Sequence, residues 1–238
     1  MGSIYPTGTA LAVAVLVGGM ATAWGQSREI ASLSSARVAG APGLRIRATD
    51  IEENEEFRRM LLAALRDSPT TRAILVDIDS ESDPGNAIEI VLGRDLPGVL
   101  IDSFERNLID LEDLERLPSA HDAELDRNAI TREEQIVHIL AERHHAAKMI
   151  ARLRELHVMS PSRKLIFNAS HDIGLLRENE YRAERGQTPV IDAISHLVKD
   201  SPGAALIEYR LADGTTSYIV TSHHGQIDRI VPPLPAVP

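Results

Sequence analysis

The amino-acid sequence predicts an α+β fold: a mixed or antiparallel sheet packed against a long central helix, with a C-terminal β-meander. Three observations carry this. After Thr131 no Gly or Pro occurs until Pro161, which leaves room for one long helix. Short apolar runs near residues 73–78, 87–92 and 98–101 are separated by Pro-Gly turn chemistry, and connections that short favour antiparallel pairing. The last forty residues alternate β-branched segments with turn residues, the pattern of a meander.

Composition narrows the function classes. A chain of 238 residues that is 43% hydrophobic but only 3% aromatic supports a core built mostly from Leu, Ile, Val and Ala. The net charge of −10 argues against a nucleic-acid partner, because a phosphate-binding surface needs clustered Lys and Arg. The absence of cysteine removes disulfides, thiolate catalysis and thiolate zinc sites together.

Residues 1–26 carry no charged side chain, and residues 10–23 (ALAVAVLVGGMATA) are almost wholly apolar. Three readings stand for this segment: a secretory signal ending at Ala21-Thr22-Ala23, a membrane contact, or an element docked on a partner or chaperone. Residues 27–43, rich in Ala, Ser and Gly, read as a linker. The first reading makes the protein exported.

The main domain is expected over residues 44–200, with the meander and a proline-rich tail over 201–238. Residues 44–47 (LRIR) alternate as a strand. Asp50 and Glu53 have capping-box spacing, and the helix they open runs to about Arg66, where Asp67-Ser68-Pro69 ends it. Residues 73–78 (AILVDI), 87–92 and 98–101 read as strands. Residues 108–117 read as a short helix and 119–128 as a loop. The long helix opens at Thr131 with Glu134 three residues on. Beyond Pro161, residues 164–167 read as a short pairing segment and residues 170–185 as a helix ended by Gly186. Thr188 and Pro189 then open a helix to Val198. Residues 205–210, 216–221 and 226–231 form the meander, with Asp213-Gly214 and His223-His224-Gly225 as its turns.

The long helix holds three of the nine histidines. At about 100° per residue, His138, Glu142 and His145 share one face. That face invites comparison with the zinc signature HExxH, which offers two imidazoles at i and i+4 and a Glu beside the first. If Glu142 is the catalytic base and His145 the second ligand, Ala141 stands in place of the first His. If His138 is the first ligand, Ile139 takes the base position and Glu142 that of the second ligand. A third arrangement uses His138 and Glu142 together as ligands, with His145 joining or supporting them. Each competes with the simpler reading of a solvated polar stripe. Glu142-x-x-His145 also matches half of a di-iron motif, but no second copy occurs. No G-x-S-x-G elbow and no phosphate-binding glycine loop is present.

Several segments extend the comparison: LRIRA, a helix passing Phe57 into MLLAAL, Ser68-Pro69, AILVDI, the His/Glu helix, and Glu178-Asn179-Glu180-Tyr181-Arg182 with Gly186. Together they resemble the bacterial effector-type zinc metallopeptidases, the toxin-like members of the HExxH class. The resemblance implies a zincin-like fold, one zinc ion and hydrolysis of a protein substrate in a target cell. Further ligands would come from His171 and Glu178, whose plain alternatives are a helix-start residue and an exposed carboxylate paired with Arg182. The alternative function is a catalytically inactive zincin-derived module, docked in a larger secretion assembly.

Overall fold

The computed structural model describes residues 35–37, 43–80, 88–158, 162–197, 205–221 and 227–234, all within one unit, Leu33–Pro238. The readings of residues 1–26, of His223-His224 and of the tail after residue 234 lie outside the described residues.

The first sheet is built from β1 (Ser35–Arg37), β2 (Leu44–Arg47), β3 (Ile88–Gly93), β4 (Asp102–Ser103) and β5 (Leu108–Asp110). Its order is β1-β2-β3-β5-β4. β1 falls inside the segment read as a linker. β2 pairs parallel with β3, and β3 with β5, while the outer pairs are antiparallel. The sheet is therefore mixed. The expected antiparallel centre is corrected by what joins β2 to β3: two helices, α1 (Ile51–Leu65) and α2 (Pro69–Ser80), long enough for a parallel crossover.

Helix α2 replaces the strand expected at residues 73–78. Its buried residues Thr70, Thr71, Ile74, Leu75 and Ile78 recur at helical spacing, which the apolar run AILVDI obscures. Ser68-Pro69 ends one helix and also starts the next. Ser68 Oγ accepts from the Thr71 amide at 3.1 Å, the bond of an N-cap, and Pro69 occupies the first helical position, where no donor is required. Glu184 completes this end, accepting from Ser68 Oγ at 2.7 Å and from the Thr70 amide at 2.8 Å. A carboxylate at a helix N-terminus offsets its dipole. Replacing Glu184 with Ala should cost about 1–2 kcal/mol, seen as a lower urea midpoint with unchanged slope.

Two further expectations change. Residues 98–101 form a turn, with φ of 72° at Gly98 and 57° at Ile101, rather than a strand. Residues 108–117 split into β5 and α3 (Leu111–Arg116), and Asp110 caps that helix by accepting from Glu112 N.

α4 (Arg132–Glu155) is the long helix. Thr131 Oγ1 accepts from the Glu134 amide and donates to Glu134 Oε2 at 2.9 Å. Ile136, Val137, Ile139, Leu140 and Ala141 are all buried, so the first half of α4 is wrapped nearly all round. α5 (Arg163–Glu184) absorbs both the pairing segment and the helix expected there, with Ser162 as its N-cap. Gly186, at φ 67°, lies just past its end, where the left-handed region favours glycine. α5 returns antiparallel to α4, as the pairs His145–Ser170 and His138–Glu178 require.

The expected helix over residues 189–198 is a strand, β6 (Val190–Leu197). It joins β7 (Ala205–Leu211), β8 (Thr216–Thr221) and β9 (Ile227–Leu234) in an antiparallel sheet of order β6-β7-β8-β9. Asn179 of α5 decides this. Its Oδ1 accepts from the Val190 amide at 2.7 Å and its Nδ2 donates to the Val190 carbonyl at 2.8 Å, as a neighbouring strand would. Tyr209, Leu211, Ile219 and Ile227 of this sheet share one core with Ile46, Ile90 and Leu140. Among the described residues no helix is long and apolar enough to cross a membrane.

Candidate metal centre

The α4–α5 hairpin assembles the site. On α4, His138 and Glu142 lie one turn apart. On α5, Phe167, His171, Gly174 and Glu178 follow at spacings of three and four, which places them along one face. His138 Nδ1 lies 2.8 Å from Glu178 Oε2. This leaves Nε2 facing outward, 3.1 Å from His171 Nδ1. His171 Nδ1 is in turn 3.5 Å from Glu142 Oε1.

His138, Glu142 and His171 each offer one ligand atom, all within 4.8 Å of one another. Tetrahedral zinc with bonds of 2.0–2.1 Å separates neighbouring donor atoms by about 3.3 Å. The 3.1 and 3.5 Å edges bracket that value. This group could hold a metal ion.

Electrostatics agree with the spacing. Glu142 and Asp102 lie against one guanidinium, that of Arg143, which reaches Asp102 Oδ2 at 2.5 Å and Glu142 Oε2 at 4.0 Å. Glu142 is 3% exposed, and its Oε1 has no hydrogen-bond partner, a costly state for a carboxylate unless a cation approaches it. Burial disfavours the His138 imidazolium, but Glu178, with Glu142 and Asp102, outweighs it and holds the pKa above the ordinary value. Burial pushes the Asp102 carboxyl up to about 6, against the pull of Arg143.

Packing fixes the rings. Phe167 stacks on His171 with centroids 5.4 Å apart, and Phe104 meets Phe167 edge-on at 5.2 Å. Gly174 makes room for His138: a Cβ there would come within 2.8 Å of His138 Nε2. The centre opens into a cavity of about 360 Å³ bordered by Asp102, Gln135, Leu175 and Tyr209. His171, with 38% of its side chain exposed, forms the open side.

Of the residues singled out from sequence, His138, Glu142, His171 and Glu178 converge. His145 does not join them: its Nδ1 is paired with Ser170 Oγ at 3.2 Å, and burial lowers its pKa. The frame with His138 first is the one the fold assembles, and Ile139, at the position of the usual base, is core. Glu178 contacts His138 rather than standing exposed with Arg182 as partner. Sequence reading missed Asp102, Arg143, Phe104 and Gly174. Only the glycine left a signal, as an isolated Gly inside a helical pattern. No protein family, curated protein or solved structure matches this chain.

Proposed function

We propose that this protein is a zincin-like hydrolase of the toxin or effector kind, exported to act on a protein substrate, with one zinc ion held by His138, Glu142 and His171. The observation that supports it most is the convergence of those three donors around one point with Glu178 behind His138. A carboxylate on the far nitrogen of a ligating imidazole fixes its tautomer and raises its basicity. Three protein ligands with an open side suit a catalytic rather than a structural ion. Bound there, zinc supplies a Lewis acid that activates water and polarises a carbonyl.

The chain's own residues then divide the remaining work. Glu178 keeps His138 Nε2 aimed at the centre. The Phe104–Phe167 pair shields one flank from water. Asp102 borders the same cavity and takes the proton-accepting role that Ile139 cannot. With its carboxyl near 6, Asp102 is protonated below that pH and ready to accept a proton above it. Zinc bound in the same cavity would draw that value down, so hydrolysis should lose its rate only on the acid side of pH 6, and Asp102→Asn should remove most of the rate while leaving zinc bound.

Elemental analysis of protein purified without chelator tests the centre. About one zinc per chain is expected, falling below a tenth in His171→Ala. A folded wild type without zinc overturns the reading. Ile139 in the base position favours a second reading, an inactive zincin-derived module held in a larger assembly. Stoichiometric zinc with no turnover of any peptide pool would select that module.

A further inference from the structure

A second cavity, about 950 Å³, lies along α4 and the start of α5. Phe104 and Phe167 border both cavities, so the two adjoin across that ring pair. That volume is at the upper end for a ligand site. Its floor is apolar, from Ala146, Ala147, Ile150 and Ile166. Its rim is basic, from Arg154, Arg163 and Lys164. None of these three has an acidic partner among the described residues, in a chain whose net charge is −10. Of the two acids on the rim, Glu89 is taken by Arg47 at 2.5 Å, which leaves Glu105 against three cations.

Two features make this more than a basic rim. Arg163 and Lys164 occupy the first turn of α5, which holds no acidic residue. Cations there oppose the helix dipole, so this end of α5 presents an unusual concentration of positive potential. Arg143 lines the inner end. It is 4% exposed, with Nη2 held by Asp102; Nη1 makes no hydrogen bond and stands 4.0 Å from Glu142 Oε2. Phe104 lies over the guanidinium, 4.7 Å from Cζ to ring centroid. A buried guanidinium nitrogen without a hydrogen bond, at the end of a basic groove, matches a carboxylate oxygen, which accepts a charge-assisted N–H bond from such a group.

We infer that this groove selects peptides bearing a carboxylate, which is drawn in by Arg154, Arg163 and Lys164 and received by Arg143 beside the metal centre as the Phe104 ring shifts. The inference rests on the peptide-hydrolase reading for its substrate class. The carboxylate comes either from an acidic side chain or from a free peptide C-terminus.

Binding to the EDTA-treated full chain separates these sources without needing turnover. Four fluorescent hexapeptides are compared by anisotropy at low salt: acidic with an amidated end, neutral with a free C-terminus, neutral amidated, and basic amidated. At least one of the first two should bind ten-fold or more tightly than the neutral amidated peptide. Tight binding of the first identifies a side-chain carboxylate, and of the second a chain terminus. The exposed double variant Arg163→Glu/Lys164→Glu should lose that advantage while keeping its far-UV spectrum and zinc content. Arg143→Met should lose it too, with its fold checked in the same way. Equal binding of all four peptides, an advantage that survives the double variant, or preference for a single-stranded oligonucleotide over every peptide overturns the inference. Absence of zinc from wild type purified without chelator, with peptide selectivity intact, sinks the metal reading alone.

Discussion

Arg182→Met should be the most destabilising single substitution in α5, lowering unfolding free energy by about 3–5 kcal/mol. The guanidinium is fully buried and bonds Glu134 Oε1 at 2.6 Å. It also donates to the carbonyls of Thr188 at 2.6 Å and Ala129 at 3.0 Å. One side chain thus ties α5 to the start of α4 and to the chain entering β6. Methionine fills the space but strands the Glu134 carboxyl, which is 0% exposed. Burial holds that carboxyl above its ordinary value, and Arg182 is the main influence limiting the rise. Without Arg182 the folded state prefers it protonated more strongly still. The sign follows: a raised carboxyl pKa makes the folded state bind more protons than the unfolded one, so stability falls as pH rises. The deficit of Arg182→Met should therefore be larger at pH 8 than at pH 5, and Arg182→Met/Glu134→Leu should recover part of it by removing the stranded group. Urea unfolding at both pH values measures this. A loss below about 1 kcal/mol would show that the pair contributes little.

The same residues explain why the sequence was only partly legible. Capping pairs were readable because their signal is local: Asp50 accepts from the Glu53 amide at 2.8 Å, and Thr131 with Glu134 opens α4 as its spacing predicts. Glu134 then does something no local rule encodes: while Oε2 stays at the cap with Thr131, Oε1 holds Arg182. The segment Glu178 to Arg182 shows the same limit. Glu178, Asn179, Tyr181 and Arg182 serve His138, the β6 backbone, the core and Glu134 in turn, and only the folded chain brings those partners within reach. Helix α2 was missed because β-branched composition in a six-residue window cannot separate a buried strand from a buried helix. β6 was missed because Thr188-Pro189 reads as a helix start, whereas Asn179, eleven residues before Val190, supplies the pairing that makes a strand. The site divides along the same line. His138 and Glu142 share a face by periodicity alone, but the arrival of His171 and Glu178 depends on how α5 packs against α4. Asp102 and Arg143 belong to the site only through tertiary packing.

Gly174→Ala should invert an ordinary rule. Inside a helix Ala is normally more stable than Gly by about 0.5–1 kcal/mol. Here the added Cβ would lie 2.8 Å from His138 Nε2 and 2.9 Å from its Cδ2, closer than such atoms approach. The ring must turn away or the two helices must part, and overpacking of this kind costs about 1–3 kcal/mol. Either response breaks the 2.8 Å contact to Glu178 and moves Nε2 off the point shared with His171 and Glu142. Loss of a supporting contact of that type lowers metal affinity about 10–100-fold. Two measurements follow: a zinc titration showing the weakened affinity, and a melting temperature that drops in the metal-free protein as well. Removing the imidazole removes the clash, so in a His138→Ala background the same Gly174→Ala change should become stabilising by about 0.5–1 kcal/mol. The sign reversal between backgrounds isolates the steric contact from every effect of the metal. Stabilisation in both backgrounds would mean that His138 does not occupy the space beside Gly174, and the centre would then have to be built without it.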